Sequence, residues 1–91
     1  MTDRTARDVV VHGEVQGVGF RYSCHSEADA AGVDGWVSNE HDGTVRAHFE
    51  GSPEAVDRLV SWVRQGPRGA RVDHVDVEEV EPDGGSGFHV R

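Results

Sequence analysis

Apolar and polar positions alternate from Ala6 to Val15, placing Val9, Val11 and Val15 on one face and His12 and Glu14 on the other, which predicts a strand with one buried side. Beyond Gln16 the period changes. Phe20, Cys24, Ala28 and Ala31 recur at helical spacing, Glu27 and Asp29 fall outside that stripe, and Gly32 supplies a C-terminal stop, so a helix is predicted from about Arg21 to Ala31. Alternation returns from Val33 to Asn39 and from Thr44 to Glu50, separated by Glu40-His41-Asp42-Gly43; the Asp-Gly pair marks an antiparallel hairpin. In the second of these strands Val45, Ala47 and Phe49 oppose Arg46, His48 and Glu50. Ser52-Pro53-Glu54 reads as a cap, a first helical residue and a dipole-complementing acid. The helix they open carries Val56, Leu59, Val60 and Val63 as its core stripe, with Trp62 beside it, and Gln65 to Gly69 ends it. Arg71 to Val80 is a further strand, with Val75 and Val77 on one face; Phe88 and Val90 alternate in a short last one. Between these two, Glu81 to Gly87 has the composition of a mobile loop, and Met1 to about Thr5 that of a frayed terminus.

The order β-α-β-β-α-β, with a short extra strand, predicts an α+β fold: a ferredoxin-like sandwich in which two helices cover one face of an antiparallel sheet. There is no internal repeat and no linker, so residues 1–91 are expected to form a single domain. No apolar run approaches the roughly 20 residues of a membrane span, and the first residues lack a signal-peptide core; a cytoplasmic monomer is the expectation.

Charge narrows the partners. The net charge is −8, with 17 acidic residues against nine basic ones, all arginine. Such a balance disfavours nucleic acid, whose phosphates need a cationic face, and one tyrosine with three phenylalanines leaves little to stack RNA bases. Many acids and no lysine resemble proteins from salt-rich cytoplasm. If self-repulsion limits stability, molar KCl should raise the melting temperature relative to low salt.

Cys24 excludes an internal disulfide because it is the sole cysteine. A cysteine-phosphatase nucleophile would need an arginine six positions on, where Ala30 stands, so a small core residue is expected. His12, His25, His41, His48, His74 and His89 show no metal-ligand spacing; His12, His48 and His74 are expected to face solvent, and neither a metal nor a cofactor is expected.

The stretch His12 to Arg21 joins a strand to a helix N-terminus through glycines. Helix N-termini expose unpaired N–H groups, and consecutive N–H groups in a glycine turn form an anion-binding concavity. Arg21 adds a planar fork suited to phosphate oxygens. A P-loop is excluded because Phe20-Arg21 follows Gly19; a dinucleotide fingerprint is excluded because Tyr22 stands where a small residue is needed. By itself the loop is equally a tight strand-to-helix turn.

Val11-x-Gly13-x-Val15-Gln16-Gly17-Val18-Gly19-Phe20-Arg21 closely resembles the first signature of the acylphosphatases, and Gly35-Trp36-Val37-Ser38-Asn39-x-x-x-Gly43-x-Val45, on to Gly51, resembles their second. The resemblance implies the same sandwich and the hydrolysis of acyl phosphates, small-molecule substrates, to a carboxylate and inorganic phosphate. It implies that the loop Gln16, Gly17, Val18, Gly19, Phe20 and Arg21 binds phosphate, that Arg21 is catalytic, and that Asn39 orients the attacking water. Ser38 and Gly19 depart from residues common in the family, which leaves substrate preference open. A carboxylate is a good leaving group, so positioning and electrostatics suffice without metal or covalent nucleophile. The same cradle would also serve a non-catalytic anion-binding module, and only turnover separates the two.

Overall fold

In a computed structural model describing residues 3–91, the elements run β1 (Thr5–Glu14), α1 (Phe20–Ala31), β2 (Asp34–Asn39), β3 (Val45–Gly51), α2 (Pro53–Gln65), β4 (Arg71–Val80) and β5 (Phe88–Val90). Alternation decides which way each strand faces. Val9 pairs with Ala47 and Val11 with Val45, and β4 brings Val75 opposite Val11, so odd positions of β1, β3 and β4 share a face. That face packs against Phe20, Cys24 and Ala28 of α1 and Val56, Leu59 and Val63 of α2, all buried. The Phe20, Val56, Leu59 and Val63 side chains each contribute about 1.5–3 kcal/mol on leaving water. This term, not the surface ion pairs, docks the helices.

The sheet order is β4-β1-β3-β2-β5. Pairings among the first four strands are antiparallel, as the topology predicts, whereas the short β5 runs parallel to β2. Both helix ends follow from local chemistry. Ser52 Oγ accepts from the Ala55 N–H at 3.2 Å with Pro53 behind it, and Gly32 takes a left-handed conformation that lets Val33 N–H reach back to Ala28 O at 2.9 Å. No helix among the described residues is long and apolar enough to cross a membrane.

Val75 and Val77 share a face as expected, with Val77 38% exposed on the edge strand β4. Three expectations need correction. His48 and its neighbour Glu50 do not face solvent; they are buried beneath the segment that follows β4. That segment, Glu81 to Gly87, is irregular but not loose: the Asp83 N–H donates to Glu50 Oε1, Gly84 N–H to Glu50 Oε2 at 3.3 Å, and Gly87 N–H to Asp34 Oδ1 at 2.9 Å. Finally, Arg4 belongs to no frayed end, since it pairs with Asp34 at 3.1 Å and Glu50 at 3.0 Å; Met1 and Thr2 lie outside the described residues.

Candidate active site

Val15, just past the end of β1, is buried, and the turn to α1 is made by Gln16 to Gly19. Gly17 and Gly19 both have φ of 75°, the left-handed region that costs other residues about 1–2 kcal/mol. A β-carbon on either would meet no atom within 4 Å. These glycines therefore serve the path of the backbone, which turns its N–H groups outward, and not a shortage of space.

Gly19 caps α1 without a side chain, and the first helical bond runs from Ser23 N–H to Gly19 O at 3.0 Å. The N–H groups of Phe20, Arg21 and Tyr22 have no intrahelical acceptor, as at any helix start. The first turn contains no acidic residue to absorb them. The positive end of the helix dipole is left for an external anion.

A pocket of about 140 Å³ opens at this end, walled by Gly17, Gly19, Phe20 and Arg21, with Val15 behind, Tyr22 at the rim and Asn39 across from them. The fold thus brings together Gly17, Gly19, Phe20, Arg21 and Asn39, all expected from the sequence. Gln16 and Val18, also expected, are not in the wall. Val18 packs against the core, and Gln16 Nε2 donates to Glu40 O at 2.8 Å and Thr44 O at 2.9 Å. Gln16 therefore stitches the glycine loop to the β2–β3 turn. Tyr22, 68% exposed, was missed by sequence reasoning; its place directly after Arg21 and off the core stripe was the available signal.

Arg21 joins none of the ion pairs among the described residues. One guanidinium nitrogen donates to the main-chain oxygen of Arg91 at 2.7 Å, which aims the side chain. Asn39 ends β2, paired with Val45, where the strand gives way to the turn. That turn is braced: Asp42 Oδ1 accepts from Thr44 Oγ1 at 2.6 Å and from Thr44 N–H at 3.0 Å, and these bonds hold the Asp42 carboxyl below its usual range. Ser38 Oγ donates to Glu40 Oε2 at 2.7 Å.

Groups that could rival this site lie elsewhere. Cys24 is buried in the core; burial, aided by the nearby Glu27 charge, pushes its thiol up to about 12, so it is no thiolate nucleophile at neutral pH. On the helix-free face of the sheet, His12 and His74 both reach Asp76, at 3.0 and 2.6 Å, and are exposed as expected. Also on that face, His48, Glu50 and Asp83 place ligand-type atoms within 4.8 Å of one another, a grouping their sequence spacing hides. Their partners are internal: His48 Nδ1 lies 2.5 Å from Asp8, His48 Nε2 lies 2.9 Å from Glu50, and Arg4 supplies a second cation. Burial opposes the charge on His48, but the hydrogen bonds to Glu50 and Asp8 outweigh it and raise its pKa. Burial likewise opposes ionisation of Glu50, yet the bonds from His48, the Asp83 N–H and Arg4 bring it down to about 2.

Comparison with known proteins covers nearly the whole chain. The acylphosphatase family model matches residues 7–90. An acylphosphatase from a Nocardioides species is 54% identical over 88 residues, covering 97% of this chain and 89% of its own. Another, from Thermococcus kodakarensis, is 54% identical over 80 residues, covering 88% of each chain. The solved acylphosphatase of Coxiella burnetii superposes with a TM-score of 0.94 at 36% identity, over 98% of this chain and 94% of that one. The sandwich, the glycine loop and the match along nearly the whole sequence agree: the chain belongs to the acylphosphatase family.

Proposed function

We propose that the pocket between the start of α1 and the end of β2 is where this acylphosphatase hydrolyses acyl phosphates, small carboxyl–phosphate anhydrides, to a carboxylate and inorganic phosphate. The observation that carries the reading is the shared pocket: Arg21, the uncapped helix start and Asn39 line one cavity although Asn39 lies 18 positions beyond Arg21 in the chain. The N–H groups from Gln16 to Phe20 and the Arg21 fork hold the phosphoryl oxygens. As the P–O bond to the carboxylate breaks, charge remains on those oxygens, and fixed donors stabilise it without reorganising. Asn39 has a donor and an acceptor but no charge, so its amide orients a water in line with the leaving group without repelling the substrate. The water attacks phosphorus, the carboxylate departs, and the proton released by the water ends on phosphate or solvent.

The whole chain acts in this reading as one domain and as a monomer in the cytoplasm, without a cofactor. The monomer is supported by the scatter of large exposed apolar residues, Tyr22 and Val77, at separate places on the described surface. The non-catalytic module is the weaker reading because family membership covers both motifs and the site unites them. A titration with inorganic phosphate, followed by amide NMR, tests the site: shifts should concentrate at Gln16 to Tyr22 and the Asn39 side chain. Saturable shifts confined to the opposite face of the sheet would reject it.

A further inference from the structure

The end of the chain runs like a strap from the helix-free face to the pocket. It starts at Glu50, whose side chain is 1% exposed and accepts from the N–H groups of Asp83 and Gly84. Immediately before β5, Gly87 is held from both sides: its N–H donates to Asp34 Oδ1 at 2.9 Å, and its carbonyl accepts from Gly35 N–H at 2.9 Å. The strand that follows is only three residues long and pairs with β2 at Gly35, Trp36 and Val37. Arg91 then closes the path. Its N–H donates to Val37 O at 2.8 Å, its guanidinium lies 4.6 Å over the Trp36 ring, and its carbonyl receives the Arg21 guanidinium at 2.7 Å.

We propose that Glu50 and Asp34 are positioning residues for Arg21, acting through the strap from Asp83 to Arg91. The inference rests on the reading of Arg21 as the phosphate ligand. Neither carboxylate is near the pocket wall, and neither touches substrate. Arg4 bridges the two carboxylates, at 3.0 and 3.1 Å, so one ion network fastens the strap at Asp83, Gly84 and Gly87. An arginine gripping an anion with two parallel bonds needs its fork fixed in angle as well as distance, and the Arg91 carbonyl is the group that fixes it. Releasing the start of the strap lets that carbonyl wander, and the Arg21 fork with it.

A double-mutant cycle separates this from plain destabilisation. Glu50→Gln and Asp34→Ala are each made alone and with Arg21→Ala, and the affinity for inorganic phosphate is measured on folded protein below its melting temperature. With Arg21 present, each change should weaken phosphate binding by roughly threefold to thirtyfold; with Arg21→Ala, by less than about twofold. Equal losses in both backgrounds, or no loss in either, would overturn the positioning role. An Arg21→Ala variant that binds phosphate normally would instead overturn the reading of the pocket, and this inference with it. Should Glu50→Gln fail to fold, Asp34→Ala carries the same cycle, because Asp34 is partly exposed and leaves the Glu50 bonds in place.

Discussion

Two glycine-containing turns of this chain present backbone N–H groups, and they have met different fates. Gln16 to Arg21 opens on a pocket, with the helix start uncapped and no acid in its first turn. Glu81 to Gly87 lies on the other side of the sheet, and its N–H groups are taken: Glu50 holds those of Asp83 and Gly84, Asp83 holds that of Gly85, and Asp34 holds that of Gly87. The proposed phosphate cradle and the carboxylate-filled turn rest on the same backbone chemistry. One has its anions built in. In a chain with a net charge of −8, keeping carboxylates away from one N–H cluster is what makes that cluster a site.

The contrast can be broken at the open turn first. Arg21→Lys keeps the charge and loses the planar fork, and should lower kcat for a simple acyl phosphate by on the order of 100- to 1,000-fold, measured by phosphate release. Asn39→Ala should cost turnover by about 100-fold or less while leaving inorganic phosphate affinity within about twofold, because the amide serves the water and not the anion. Tyr22→Asp would sharpen the comparison by giving the open turn a built-in anion of its own. It should weaken phosphate binding roughly tenfold, about 1.4 kcal/mol, in a calorimetric titration, while leaving helical content unchanged.

The occupied turn predicts a pH dependence of stability. Glu50 has its folded pKa lowered from 4.5 to about 2, so its contribution is complete above about 4.5 and is lost as pH falls through about 2. His48 has its folded pKa raised above 6.5, so its contribution is complete below about 6.5 and is lost as pH rises through the raised value. From these two groups the melting temperature should be highest between about pH 4.5 and 6.5. Glu50→Gln should flatten the acid limb of the melting curve against pH, and His48→Gln the alkaline limb; unchanged limbs in both variants would show that the network adds no stability.

Most of the architecture was legible because a face that must be buried imposes its period on the sequence. Val9 and Val11, the stripe Val56, Leu59 and Val63, and the Ser52-Pro53 cap carry that signal locally. Arg21 and Asn39 were legible for a different reason: two motifs name them, and the fold sets them in one pocket. Alternation tells which residues share a face but not what covers the other one. His48 and Glu50 therefore read as solvated, although Trp36, Arg4 and the segment after β4 bury them. The same segment read as mobile because composition records glycines and acids but not the distant carboxylates that accept their N–H groups. The bracing role of the Gln16 side chain was likewise hidden, since nothing near it in sequence reveals Glu40 O and Thr44 O as its partners. What was missed depends on contacts between residues far apart in the chain.

The central claim is that an N–H cradle without built-in carboxylates and Arg21 together hydrolyse an acyl phosphate by electrostatics and positioning. Release of phosphate from acetyl phosphate, in the presence of a chelator and with Arg21→Ala beside the unaltered protein, tests it most directly. Turnover that survives chelation and falls by at least about 100-fold in the variant is the predicted result. Turnover abolished by the chelator, or undiminished without Arg21, would contradict the account.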